Sequence, residues 1–171
     1  YMNEHMADML AWEAKEGTTF RHVHATGSAA YRWLPQMVRD KGVELEKHPN
    51  IRLTEYIYDM ADQMAAADLI ICRAGAATIG ELCALGRASI MVPSPYVAEN
   101  HQEKNARALE KAGACQVLLE KEASGEKLLA MTSALLADDA ARQAMAKQAA
   151  KLATLDAGEK IYQHILEAIG S

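Results

Sequence analysis

Several features that would identify particular classes of protein are missing from this sequence. Its formal net charge of -5 provides no strongly basic surface that would attract nucleic acids or an anionic membrane. No apolar run approaches the roughly 20 residues of a membrane-spanning helix, and no signal peptide precedes the first predicted helix. We therefore expect a protein that binds no nucleic acid and contains no membrane-spanning segment.

Cysteine is also scarce, and the 3 cysteines cannot all pair within the chain. Cys72 and Cys83 lie inside predicted buried elements, and Cys115 lies beside another. We expect reduced thiols in the core of a cytosolic protein, not metal ligands or nucleophiles. His22 and His24 would share one face of a predicted strand, but the sequence clusters no third ligand or carboxylate near them, so we expect no metal site there.

The residues that are present fit one compact α/β domain covering the whole chain, 1–171. Hydrophobic residues make up 50% of the sequence, which is enough for a sizeable core, and there is no repeat, low-complexity tract or linker. Apolar runs typical of buried strands alternate with segments of helical spacing, which predicts a parallel sheet with helices on both faces. The predicted strands are 18–24, 51–56, 69–72, 88–92 and 114–119. The predicted helices begin at Met2 and then cover 27–41, 59–67, the segment after 73–77 through Leu85, 99–111, 124–137, 140–152 and 158–169, of which the last three are expected to cover the sheet.

Residues 68–102 carry most of the functional information. The apolar run 69–72 ends at a turn of small residues, 73–77, and a helix and a second apolar run, 88–92, follow. Polar residues gather just beyond both strand ends, where ligands bind in open parallel sheets. The small residues of the turn would let a phosphate or sugar approach the N-terminus of the helix closely.

Four residues can be interpreted in two or more ways. Thr78 and Glu81 form a T-x-x-E capping box, which needs no ligand to explain it, although a cap and a ligand site are compatible. Arg73 could neutralise a phosphate, or it could point away or pair with Asp68 or Glu81. Ile57, at the junction of a predicted strand and helix, either packs in the core or presents its main-chain groups to a flat base.

Two segments resemble a known family. Residues 73–114, RAGAATIGELCALGRASIMVPSPYVAENHQEKNARALEKAGA, closely resemble the donor-binding region of the MurG family, the UDP-N-acetylglucosamine transferases that complete lipid II in bacterial peptidoglycan synthesis. Residues 53–60, LTEYIYDM, resemble the segment with which that family contacts uracil. The resemblance implies the Rossmann-like C-terminal half of a GT-B glycosyltransferase, of the glycosyltransferase family 28 C-terminal type. The family's first strand, its Gly-rich turn and its N-terminal acceptor domain are absent from this sequence.

The resemblance also implies how UDP-N-acetylglucosamine would be bound. Ile57 would bind uracil through its main chain, and Glu81 would accept hydrogen bonds from the ribose hydroxyls, from a first helical turn where the dipole keeps the carboxylate ionised. Arg73 is a possible phosphate contact. His101 stands where the family often has glutamine, so its role stays open. Gly80 stands where the family commonly has serine, and we expect this difference to have little effect. The turn presenting N–H groups to phosphate and sugar is Ala76, Ala77, Thr78 and Ile79, and the side chains contacting the sugar hydroxyls are Gln102 and Asn105.

The activity implied by the resemblance is transfer of N-acetylglucosamine from UDP to lipid I, with inversion and without a metal or other cofactor. The catalytic base, the lipid site and the membrane-facing patch belong to the family's N-terminal half. We therefore expect no catalytic residue here, no activity of this chain alone, and contact with lipid I and the cytoplasmic face of the cell membrane only through that half. By analogy, the last helix would reach the neighbouring domain. The alternatives are another GT-B enzyme, such as a UDP-N-acetylglucosamine 2-epimerase, and a non-catalytic nucleotide-sugar-binding module.

Overall fold

A computed structural model describes residues 2–17 and 20–170. In these residues short strands alternate with helices. The strands are β1 His22–Ala25, β2 Ile51–Thr54, β3 Ile70–Cys72, β4 Ser89–Met91 and β5 Gln116–Val117. The helices are α1 Met2–Glu16, α2 Ser28–Tyr31, α3 Leu34–Asp40, α4 Met60–Ala66, α5 Ala76–Leu85, α6 His101–Lys111, α7 Gly125–Ala137, α8 Asp139–Lys151 and α9 Ala157–Ile169. Single 3-10 turns cover Leu45–Lys47, Ala98–Asn100 and Glu120–Glu122.

Every strand pairing among the described residues is parallel, which confirms the predicted α/β class. The strands form two hydrogen-bonded groups, β1–β2 and β3–β4–β5. His22 lies opposite Ile51 in the first group, and Ile90 lies opposite Ile71 in the second. Because the strands run parallel, the carboxyl ends of β3, β4 and β5 meet at one edge, which we call the C-terminal edge.

The core lies on both faces of the larger sheet. In β4, Ile90 packs into a cluster with residues of α1, α7 and α8, whereas its neighbour Met91 packs into a second cluster with residues of α4, α5 and α6. Successive side chains of a strand point to opposite faces, so both faces of this strand are covered. On the first face α1 approaches α7 so closely that a side chain at Gly125 would overlap the backbone of α1.

Several predicted elements differ in their limits, and the first helix–strand region differs most. The helix expected over 27–41 is broken into α2 and α3, and Pro35 stands at the start of α3, where its missing N–H costs nothing. The strand expected over 18–24 begins at His22, and positions 18 and 19 of that prediction lie outside the described residues.

The last three helices do not share one environment. Helices α7 and α8 bury residues against the sheet, as predicted, whereas α9 contains no buried residue. Its apolar side chains at Ile161, Ile165 and Ile169 are exposed, so α9 contributes nothing to the core formed by the described residues. Over the same described ranges, none of the helices is long and apolar enough to span a bilayer.

Candidate functional site

The turn after β3 leads directly into α5 at the C-terminal edge. Gly75 is the N-cap of α5, and its carbonyl accepts the first helical hydrogen bond, from the Ile79 N–H at 3.0 Å. A Cβ built on Gly75 would meet no other atom within 4 Å, so the space in front of the turn is open. The N–H groups of Ala76, Ala77 and Thr78 belong to the first turn, where a helix has no internal partner for its donors. The N-terminus of α5 is therefore an accessible group of donors with a favourable dipole for an anion.

The predicted capping box is wrong. Helix α5 begins before Thr78, with no side-chain cap at Gly75, so Thr78 lies inside the first turn. The reason is that Ala76 and Ala77 are strong helix formers and let the helix start directly after the glycine. Glu81 consequently lies beyond the first turn and is exposed. The helix dipole acts mainly within the first turn. Glu81 therefore lies outside the region in which we expected the dipole to interact with its carboxylate.

Helix α6 brings two predicted sugar ligands to the same edge. The Gln102 Oε1 atom accepts a hydrogen bond from the Ser94 N–H at 2.9 Å, and the Asn105 Nδ2 atom donates to the Ala74 carbonyl at 3.4 Å. One face of α6 therefore contacts both the loop after β4 and the turn before α5. His101, at the start of α6, is exposed and contacts the Ala98 carbonyl of its own turn at 2.9 Å.

The entry to α6 has an unusual backbone. Glu99 and Asn100 adopt the left-handed conformation, with φ of 53° and 52°, which costs an ordinary residue roughly 1–2 kcal/mol. The Asn100 Nδ2 atom donates to the Glu103 carboxylate at 2.6 Å. This sharp reversal turns the chain from the loop after β4 into α6 and so sets where Gln102 and Asn105 lie.

Arg73 is paired, but with neither of the acids suggested by the sequence. Its Nη1 atom donates to the Glu120 carboxylate and to the Val92 carbonyl, the latter at 3.0 Å. Glu120 follows β5, and its side chain is only 6% exposed, against 32% for Arg73. Asp68 and Glu81 were wrong as partners because they were chosen by closeness in sequence, whereas strand order decides which residues meet. Glu120 was not predicted, and its only sequence signal is a carboxylate directly after the last predicted strand.

Ile57 lies between β2 and α4 and is half buried. Within residues 2–17 and 20–170, no main-chain hydrogen bond uses its N–H or carbonyl. The following helix α4 contributes Met64 to the same core cluster as Leu82 of α5, so α4 links this junction to the helix at the C-terminal edge. Among the described residues, no hydrogen bond joins Ile57 to Gln102 or Asn105. The surface beside it carries two exposed aromatic rings, Tyr56 and Tyr58, which were not predicted as functional.

The three cysteines belong to one core cluster, and His22 and His24 lie in β1, in the other group of strands. Burial raises the pKa of the Cys72 and Cys115 thiols to about 12, so they stay protonated, as expected for core thiols. His24 contacts Asn3, and burial, helped by the nearby His22, lowers the His24 pKa to about 4. The expectation that no carboxylate lies near these histidines is wrong, since the Glu13 Oε2 atom is 3.3 Å from the His22 ring. Even so, the described part of the chain contains no cluster of three metal-binding side chains.

Comparison with known proteins gives a consistent result. The family described as Glycosyltransferase family 28 C-terminal domain matches residues 1–161. A relative from Acetivibrio thermocellus, named UDP-N-acetylglucosamine--N-acetylmuramyl-(pentapeptide) pyrophosphoryl-undecaprenol N-acetylglucosamine transferase, is 43% identical over 96% of this chain and 43% of the relative. A relative of the same name from Thermoanaerobacter sp. strain X514 is 45% identical over 82% of this chain and 38% of the relative.

Two solved structures resemble the fold. The crystal structure of Acinetobacter baumannii MurG aligns with a TM-score of 0.79 at 26% identity, over 97% of this chain and 46% of that one. The glycosyltransferase VinC, solved in complex with dTDP, aligns with a TM-score of 0.57 at 18% identity, over 70% and 30%, which is a likeness of fold alone. The chain spans less than half the length of each of these proteins.

Proposed function

Because the chain belongs to the glycosyltransferase family 28 C-terminal domain family, we propose that it binds UDP-N-acetylglucosamine as the donor half of an inverting transferase. That enzyme would transfer N-acetylglucosamine to lipid I and so form lipid II, the activity named for the relatives. The catalytic base, the lipid site and contact with the cytoplasmic face of the cell membrane are assigned to the part of the relatives that this chain does not cover. No catalytic residue, metal or cofactor is assigned to the chain itself.

One observation carries the proposal, namely that the N-terminus of α5 and the side chains of Gln102 and Asn105 converge on the C-terminal edge. A pyrophosphate needs several N–H donors and a positive potential, which the first turn of a helix supplies without a cation. A sugar needs side chains that both donate and accept, and amides do both. Both requirements are met by the N-terminal part of α5 and by α6 at this edge.

In this proposal each part of the donor has its own contacts. The N–H groups of Ala76, Ala77 and Thr78 bind the pyrophosphate, and Ile79, whose N–H already donates to Gly75, adds contact area beside them. Gln102 and Asn105 bind the sugar hydroxyls.

The nucleoside end of the donor is assigned to Ile57 and Glu81. The main chain of Ile57 hydrogen-bonds the uracil, since its N–H and carbonyl have no other main-chain partner within the described residues. The carboxylate of Glu81 accepts from the two ribose hydroxyls, one with each oxygen.

Incubating the chain with UDP-N-acetylglucosamine tests the proposal, and distinguishes it from the epimerase alternative. We expect saturable binding by calorimetry and no release of UDP, with or without a lipid I analogue, because this chain holds donor contacts only. Turnover of the donor without acceptor would favour an epimerase, and turnover with the lipid I analogue would contradict the division of roles. Failure to bind UDP-N-acetylglucosamine would contradict the proposal as a whole.

A further inference from the structure

The ion pair between Arg73 and Glu120 joins the ends of three neighbouring strands. Arg73 directly follows β3, Val92 directly follows β4, and Glu120 opens the 3-10 turn after β5. A single guanidinium nitrogen, Nη1, donates to both the Val92 carbonyl and the Glu120 carboxylate. One side chain thus links the ends of the three strands. It does so at the point where the chain passes from β3 to α5.

Stability alone does not explain a charged pair at this place. The Glu120 side chain is 6% exposed, and removing a carboxylate from water costs several kcal/mol before any partner compensates. A buried ion pair is often no more stabilising than a well-packed apolar pair of similar volume. The pair also constrains geometry, because the N–H groups of a planar guanidinium point in fixed directions and the groups that they contact must lie along them.

A very short segment connects the contacts of Arg73 to the start of α5. Only Ala74 separates Arg73 from the N-cap Gly75. Ala74 is fully buried, and its carbonyl accepts the hydrogen bond from Asn105 at 3.4 Å. The turn is therefore anchored at one end by the contacts of Arg73 and at Ala74 by the hydrogen bond from α6. No unconstrained residue lies between these two anchors.

From these contacts we infer that Glu120 is a positioning residue for the donor pyrophosphate. By holding Arg73 across the strand ends, it fixes the direction in which the N–H groups of Ala76, Ala77 and Thr78 point. Arg73 contacts Val92 and Glu120 of the protein itself. It therefore acts on the pyrophosphate through the turn and does not bind a phosphate directly. The inference rests on the proposed function, since it concerns the same donor site.

The test compares two ligands in one variant. Glu120→Gln keeps the shape of the side chain and one acceptor oxygen but removes the charge that holds the guanidinium. We expect UDP affinity to fall by about tenfold, the size of a lost charge-assisted hydrogen bond, while uridine, which lacks the pyrophosphate, binds as it does to the unaltered chain. Calorimetry for UDP and an NMR titration for uridine give the two dissociation constants.

Glu122→Gln is the matched control. Glu122 lies in the same 3-10 turn, but its side chain is 51% exposed and contacts Lys127 on the surface. The same change of charge should leave both affinities unaltered there. An equal loss of UDP affinity in the two variants would mean that the contact with Arg73 is not responsible, and it would overturn the inference.

Arg73→Lys covers the case in which Glu120→Gln does not fold. Lysine keeps a positive charge, but its side chain is shorter than that of arginine and lacks the planar guanidinium, so it cannot reproduce the contacts of Nη1 with both Val92 and Glu120. A positioning role predicts loss of UDP affinity with uridine binding retained, whereas a direct phosphate contact predicts that lysine preserves UDP affinity. Unchanged UDP affinity in Glu120→Gln or Arg73→Lys would overturn this inference alone. If the unaltered chain did not bind UDP, the proposed function would fall and this inference with it.

Discussion

The Gln102 side chain accepts a hydrogen bond from the Ser94 N–H at 2.9 Å. This contact joins α6 to the loop after β4 and uses the amide oxygen, so the amide nitrogen is the group left to face a ligand. Gln102 therefore has two separable roles, one in holding the loop and one in the proposed binding of the sugar.

Replacing Gln102 by glutamate should separate these roles. Glutamate still accepts from the Ser94 N–H but cannot donate to a sugar hydroxyl. We expect a nearly unchanged melting temperature, and an affinity for UDP-N-acetylglucosamine that falls by about tenfold more than the affinity for UDP, since the added negative charge repels the phosphates of both ligands alike. Gln102→Leu, which loses both contacts, should in addition lower the melting temperature. If Gln102→Glu bound the two ligands as the unaltered chain does, Gln102 would hold the loop and nothing more.

A second prediction concerns the proposed hydrogen bonds between the main chain of Ile57 and uracil. Valine keeps the main chain unchanged, so Ile57→Val should leave UDP affinity nearly intact. Proline removes the N–H, so Ile57→Pro should weaken UDP binding. Circular dichroism must first confirm that both variants fold, because proline also restricts the preceding residue. Equal and small effects of the two substitutions on UDP affinity would identify Ile57 as a core residue only.

The third prediction concerns Glu81, which the fold leaves exposed and outside any capping box. Glu81→Gln should not change the melting temperature, because no helix cap is lost. UDP affinity should fall by about tenfold, as expected when a charged acceptor for two hydroxyls is replaced by a single neutral oxygen. A 2',3'-dideoxy analogue of UDP should bind the unaltered chain and the variant equally. A variant that bound UDP normally would exclude the ribose role.

The fourth prediction is a dependence of stability on pH that originates at His24. Its pKa is about 4 in the fold and 6.5 ordinarily, so the unfolded chain takes up the proton first as the pH falls. The stability contributed by neutral His24 is complete above about pH 6.5 and is lost towards about pH 4. Urea unfolding should show that His24→Gln loses less stability than the unaltered chain between about pH 7.5 and about pH 5.

The control for His24 is His164→Gln, in the exposed helix α9. This variant should keep the pH dependence of the unaltered chain, because His164 lies on the surface, with its ring beside Glu167 in the next turn of the same helix. If His24→Gln and His164→Gln responded to pH alike, the burial of His24 would not be the cause.

Local patterns were sufficient to predict the type of nearly every element, but not where each begins. The apolar runs ending at Cys72 and Val92 predicted β3 and β4, because buried parallel strands are continuously apolar. The start of α5 was misplaced because a capping box at Thr78 competes with the helix propensity of two alanines, and the alanines prevailed. Helices α7 and α9 both have apolar residues on helical spacing, and this periodicity does not reveal which helix finds a surface to cover.

Contacts between distant residues were beyond prediction from the sequence. Arg73 and Glu120 are 47 residues apart, and they meet only because β3, β4 and β5 lie in that order. By contrast, the face shared by Gln102 and Asn105 follows from helical spacing and was predicted. The resemblance to a family supplied roles for individual residues, which physical reasoning on the sequence alone left open.

The most direct measurement of the central claim is a titration of the isotopically labelled chain with UDP-N-acetylglucosamine, followed by the backbone amide resonances. If the donor binds at the C-terminal edge, the largest shifts occur at the amides of Ala76, Ala77 and Thr78, with further shifts at Ile57 and at the side-chain amides of Gln102 and Asn105. UDP alone should reproduce the backbone shifts but not those of the two side chains. Saturable shifts confined to other parts of the chain, or no shifts at all, would contradict a donor site at this edge.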